Sequence, residues 1–149
     1  MHLTDTVVDV LSRKGGEVWT IEPDASVYDA LEIMAEKEIG ALLVISDSVL
    51  IGLLSERDYA RKVILKGKSS KETSVRDIMT SPPVTIPGTT RVSECLSIMT
   101  ERRIRHLPVV EHGYFLGVVS IGDMVNWIIS RQEQEIEHLH HYIAGGYPG

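Results

Sequence analysis

Two segments of the 149-residue chain carry the same polar pair at the same spacing: Gly52-Leu53-Leu54-Ser55-Glu56-Arg57-Asp58 and Gly117-Val118-Val119-Ser120-Ile121-Gly122-Asp123. In each, an apolar run ends in a serine, and an aspartate follows three residues later. Such a run followed by helical spacing reads as a strand turning into a helix, with the serine at the corner. Unpaired N–H groups at a helix start attract anions such as phosphate. The serine hydroxyl can cap the helix or contact a ligand. An aspartate in the first turn can accept both hydroxyls of a ribose. The same spacing also describes a capping box, and spacing alone favours that purely structural explanation.

The elements that must place these pairs recur with them. Residues 18–21 read as a strand, 25–37 as a helix with Val27, Leu31 and Met34 on one face, 41–45 and 50–54 as buried strands, and 56–66 as a helix. Residues 46–48 and 112–113 have turn chemistry. Subtracting 65 aligns a second set: a strand at 84–86, a helix at 91–102, strands at 107–110 and 115–119, and a helix from Ile121. Thr20/Thr85, Val27/Val92, Leu31/Leu96, Met34/Met99, Gly52/Gly117, Ser55/Ser120 and Asp58/Asp123 are identical at this offset. Most of these pairs are core types, which a shared fold alone requires; the serines and aspartates are not. Two copies are too few for a solenoid. The expected architecture is mixed α/β (α+β): two β-α-β-β-α repeats packed through their sheets with pseudo-twofold symmetry. The boundaries read as a lead-in helix over 1–17, repeats over 18–66 and 84–129, a linker over 67–83, and a C-terminal helix and tail over 130–149.

Bulk properties narrow the function classes. A hydrophobic fraction of 43% is enough for a full core, and a net charge of −6 disfavours nucleic acid and anionic membrane surfaces as partners. Any anion site must then be a local basic cluster. Candidates are Arg57, Arg61 and Lys62 near the first pair, and Arg102, Arg103, Arg105 and His106 before the second, with Lys62 and Arg102 read as solvated helix faces. A single cysteine, Cys95, points to a reducing compartment and reads as buried and inert. No signal peptide or membrane span is apparent, so a cytoplasmic protein is expected. No signature of a catalytic triad, P-loop or Rossmann turn is present, so no catalytic residues are assigned. His138, His140 and His141 invite a metal, but their spacing is not diagnostic, and a solvated face is the better reading. Trp127 is expected at a subunit contact. Ile129, Ile136, Leu139 and Ile143 form a short heptad-like seam.

The doubled Gly-apolar-apolar-Ser-x-x-Asp, together with Ile104-Arg105-His106-Leu107-Pro108-Val109-Val110, resembles the CBS domain, and the whole chain is similar to a tandem CBS pair, or Bateman module. The resemblance implies a non-catalytic regulatory module that binds adenosyl compounds (AMP, ADP, ATP, NAD(H) or S-adenosylmethionine), with no cofactor required. It implies a homodimer acting on an unknown effector protein. It also implies two clefts, each combining one repeat's Ser/Asp pair with the other repeat's loop. Ser55, Arg57 and Asp58 would work with Met79 and Pro82 of the linker and with Arg105-His106. Ser120 and Asp123 would work with Gly16, Trp19, Gly40 and Ala41. Since the first-half equivalent of Arg105-His106 is Gly40-Ala41, the Asp58 cleft is expected to carry more phosphate-binding capacity. Rival readings are an interaction module with empty clefts and a nucleotide-hydrolysing enzyme.

Overall fold

The computed structural model describes residues 4–15 and 17–141. The chain runs α1 (Val7–Lys14), β1 (Thr20–Ile21), α2 (Val27–Lys37), β2 (Ala41–Ser46), β3 (Val49–Ser55) and α3 (Glu56–Tyr59), which passes into a π-helical turn (Ala60–Ile64). There follow α4 (Val75–Ile78), α5 (Val92–Arg102), β4 (His106–Glu111), β5 (Tyr114–Ser120) and α6 (Ile121–His141). The first sheet has the order β1-β2-β3, with β1 parallel and β3 antiparallel to β2; the second is the antiparallel pair β4-β5.

The hairpins form as their turn residues predict. Asp47 and Ser48 have φ of 50° and 65°, and His112 and Gly113 have 50° and 81°. Positive φ at both central residues is the two-residue turn whose twist matches the flanking strands. Each hairpin also shifts register once, at Val44/Ile45 and at Val109/Val110, 65 residues apart.

Two expectations are corrected. The strand at 84–86 shrinks to one parallel bridge, in which Ile86 N donates to Pro108 O at 3.1 Å and Val110 N to Ile86 O at 2.9 Å. Pro83 and Pro87 bracket that bridge and have no N–H to extend it. The helix at 56–66 is interrupted, with Leu65 N bonding to Ala60 O at 3.1 Å in a wider turn. The C-terminal helix expected from residue 130 is present as the continuation of α6, which runs to His141; Ile143 lies outside the described residues.

Each repeat has its own core, and each core is completed by a helix from outside its repeat. Val75 and Ile78 of α4 join Val27, Ala30, Met34, Leu42, Val44, Leu54 and Val63 of the first repeat. Val7 and Val10 of α1 join Ile86, Val92, Cys95, Met99, Leu107, Val109, Val119 and Met124 of the second. Backbone bonds fix both dockings: Val75 N to Ala25 O at 2.9 Å, and Val7 N to Thr90 O at 2.9 Å. A glycine lets each helix approach. A Cβ at Gly52 would lie 2.7 Å from Met79 Sδ, and one at Gly117 would lie 3.0 Å from Leu11 Cδ2. On the opposite sheet faces Leu43 and Pro108 are buried as well. Among the described residues no helix is long and apolar enough to cross a membrane.

Trp127, partly buried, makes contacts within the chain. Its Nε1 donates to Asp5 Oδ2 at 2.8 Å, Arg131 Nε lies 3.3 Å from the same oxygen, and the Arg13 guanidinium sits 5.6 Å from the ring centre. This cluster straps α1 to α6. Cys95 is buried on α5, and desolvation pushes its thiol up to about 11, so it stays protonated and unreactive.

Candidate functional site: two clefts between the repeats

Both Ser/Asp pairs sit at strand-to-helix corners, and both close a capping box. Ser55 Oγ accepts from Asp58 N at 3.2 Å, while Ser55 N donates to Asp58 Oδ2 at 3.0 Å. Ser120 Oγ accepts from Asp123 N at 3.0 Å, and Ser120 N donates to Asp123 Oδ2 at 2.8 Å. Among the described residues the same Ser/Thr-x-x-Asp start opens α1 from Thr6, α2 from Ser26 and α4 from Ser74. The motif therefore builds helix ends throughout this chain, and its spacing alone does not mark a site. What distinguishes the pairs at 55/58 and 120/123 is the cavity each faces.

The larger cleft, about 760 Å³, is lined by Ser55, Asp58 and the π-helical turn of the first repeat, by Thr80, Pro83 and Val84 of the linker, and by Arg103 to His106 of the second repeat. Five permanent cations, Arg57, Arg61, Lys62, Arg103 and Arg105, face two carboxylates, Glu56 and Asp58. The smaller cleft, about 520 Å³, is lined by Ser120, Asp123 and Val118 together with Lys14, Gly15, Glu17, Val18, Trp19 and Glu38 to Ala41. There one cation, Lys14, faces three carboxylates: Glu17, Glu38 and Asp123. Both volumes lie within the range of small-molecule sites.

Each aspartate already has a lysine. Lys62 Nζ lies 3.2 Å from Asp58 Oδ1 and donates to Ile78 O at 3.0 Å. Lys14 Nζ lies 2.8 Å from Asp123 Oδ2 and donates to Val118 O at 3.0 Å. The two lysines arrive by different routes. Lys62 comes from the same helical segment as its aspartate. Lys14 comes from the last turn of α1, which runs on beyond Leu11, whereas α4 stops before Met79, the residue that occupies Leu11's place over the glycine. Pro82 and Pro83 follow and forbid that extra turn.

The expected residues are distributed as follows. Ser55, Arg57, Asp58 and Arg105 line the larger cleft, and Trp19, Ala41, Ser120 and Asp123 the smaller. Gly40 and His106 line both. Met79 is packed over Gly52, and Pro82 is exposed; neither lines a cleft. Gly16 lies outside the described residues. Lys37 Nζ sits 4.4 Å from the centre of the Trp19 ring. Lys62, read as solvent-facing, lies on the cleft wall instead. The acidic residues Glu17 and Glu38 carried no motif that would have found them, and Glu56 lay within the first repeated segment at a position the second copy does not share. His106 is half-buried, and its pKa falls below the ordinary 6.5, through desolvation first, then Lys14, with Asp123 opposing and Arg105 adding to the fall. Among the described residues no group of three or more His, Cys, Asp or Glu is placed to hold a metal ion.

Two hairpin-and-helix repeats that share their clefts define a paired regulatory module. The chain belongs to the CBS domain family, whose profile matches residues 7–64 and 75–130. It is 40% identical over 151 residues to the CBS domain-containing protein CBSX3, mitochondrial, of Arabidopsis thaliana, with 95% of this chain and 73% of that protein covered. A solved structure from Burkholderia ambifaria MC40-6, a CBS-domain protein named as a candidate in signal transduction, superimposes with a TM-score of 0.82 at 44% identity, covering 85% of this chain and 96% of that one. By contrast, the chain spans only 22% of the Arabidopsis CBSCBSPB5 protein, at 35% identity over 119 residues.

Proposed function

We propose that the chain is a non-catalytic sensor that binds an adenosyl compound in one or both clefts and passes its occupancy to a separate effector protein. The observation that carries this reading is the joining of a corner carboxylate, Asp58, to a cation-rich wall in a cavity large enough for a nucleotide. The carboxylate suits a ribose, and the arginines suit the phosphates. The charge balance supports phosphate-bearing ligands (AMP, ADP, ATP or NAD) as the choice for the Asp58 cleft. The smaller cleft, where carboxylates outnumber cations, suits an adenosyl group with few or no phosphates. Two copies of the chain would pair, since Ile129, Ile136 and Leu139 on α6 are 47%, 67% and 57% exposed and form an unpaired apolar seam.

Thermal melts with and without ADP test the reading. Saturation at 100 times Kd should stabilise the protein by about 2.7 kcal/mol, and Asp58→Ala should remove the shift. Recovery of intact ADP after prolonged incubation would support a sensor, and its breakdown an enzyme. A second reading, an interaction module with empty clefts, is favoured by the lysines already paired with both aspartates. It predicts no shift with ADP, adenosine or S-adenosylmethionine.

A further inference from the structure

The two clefts meet at one side chain. A Cβ built on Gly40 would lie 3.2 Å from His106 Nε2 and 3.3 Å from Cε1, so the partition between the cavities is a glycine backbone against an imidazole. Any side chain at position 40 would push the ring away. The charged groups around His106 come from every wall. Lys14 from α1, Asp123 from α6 and the neighbouring Arg105 act on it, and Glu56 Oε1 lies beside Gly40, 3.4 Å from the same Cβ position. Arg57, Asp58, Arg61, Lys62 and Arg103 complete the larger cleft, and Glu17 and Glu38 the smaller.

We propose that His106 couples the two clefts through its proton. An anion bound in the larger cleft is held together with an imidazolium at His106, and that charge weakens the hold of Asp123 on Lys14 in the smaller one. The proton comes from solvent. An imidazolium repels the Lys14 ammonium and offers Asp123 a competing cation, so the two clefts favour joint occupancy: an anion on one side, and on the other a ligand that displaces Lys14. The choice of a nucleotide as the anion rests on the function proposed above; the partition itself does not.

The test is calorimetry on the full chain with ADP, repeated in buffers of different ionisation heat between about pH 8 and pH 6, the span in which a histidine changes charge. Binding should take up protons, and affinity should rise as pH falls, by at most about tenfold per unit for one proton. In His106→Asn the part of both effects beyond the proton exchange of ADP's own phosphate, whose second ionisation falls at about pH 6, should vanish. Uptake unchanged in that variant, or ADP binding with no uptake in the unaltered protein, would overturn the proposal. Inorganic tripolyphosphate is the parallel probe. Proton-linked binding of tripolyphosphate with no binding of ADP would keep the coupling and reject the nucleotide reading, and binding of neither would reject both. The coupling arm is read in the unliganded protein by proton NMR of the His106 ring, assigned by its loss in His106→Asn. Its titration midpoint should move up in Lys14→Met, and an unmoved midpoint would remove the link to the smaller cleft.

Discussion

The two clefts are built from the same corner and differ in almost everything that surrounds it. Ser55/Asp58 and Ser120/Asp123 have matching caps, and each aspartate holds a lysine. Yet one cavity sets five cations against two carboxylates, and the other sets one cation against three. Duplication preserved the part that folding needs. The cleft walls differ in charge both at positions that correspond in the two repeats, such as Glu38 and Arg103 at the 65-residue offset, and at residues of the π-helical turn and the lead-in helix. Under the proposed function, the shared corner is where a ligand would sit, and the differing charges around it would decide which ligand.

The sharpest way to break this contrast is to remove each aspartate in turn. Asp58→Ala should cost ADP about 1.5–3 kcal/mol of affinity, the range for hydrogen bonds to a charged partner, while Asp123→Ala should leave ADP within threefold. Equal losses by calorimetry would erase the distinction. The reverse experiment builds phosphate affinity into the smaller cleft. The double change Glu17→Lys and Glu38→Lys should give a second ADP site, gaining about 1 kcal/mol per reversed charge at low salt and losing most of that gain as salt rises. Next come the caps, where the two corners should behave alike. Ser55→Ala and Ser120→Ala should each lower stability by about 1 kcal/mol in urea unfolding, because both serines accept a helix N–H whatever the ligand. Smaller still is Lys14→Met. The pair is partly exposed, with side-chain exposure of 39% and 20%, so its loss should cost less than about 1 kcal/mol of stability. The same change should strengthen adenosine binding in the smaller cleft.

The weakest effect is on pH. The folded pKa of His106 is depressed, so the unfolded chain binds its proton more readily. Its contribution to stability is therefore present above pH 6.5, the ordinary value, and fades as pH falls through the lower, folded one. His106→Asn should flatten this part of the stability profile.

The sequence revealed the 65-residue repeat, the hairpin turns and the two corners, because these depend on local chemistry: alternating burial, turn residues and caps. It did not reveal which helix completes which core. That depends on contacts between segments far apart in the chain, such as Val75 N with Ala25 O and Val7 N with Thr90 O. A trace was present all the same. Thr6-Val7-Val8-Asp9 and Ser74-Val75-Arg76-Asp77 match at an offset of 68, three more than the main repeat, and both open helices that dock beside a glycine. That shift of three records the extra turn of α1 that carries Lys14. The carboxylates Glu17, Glu38 and Glu56 escaped notice because a search for anion sites counts basic residues, although the charge of a cleft is a balance.

The exchange of helices also sets an order of events during synthesis. As the chain leaves the ribosome, the first repeat can close its core once α4 emerges, which begins eleven residues after the π-helical turn ends at Ile64. Val7 and Val10 must wait, with their apolar stripe uncovered, until β5 and Met124 have been made. Translation that stalls within the second repeat would leave a finished first half trailing an unsheltered helix, a natural target for a chaperone.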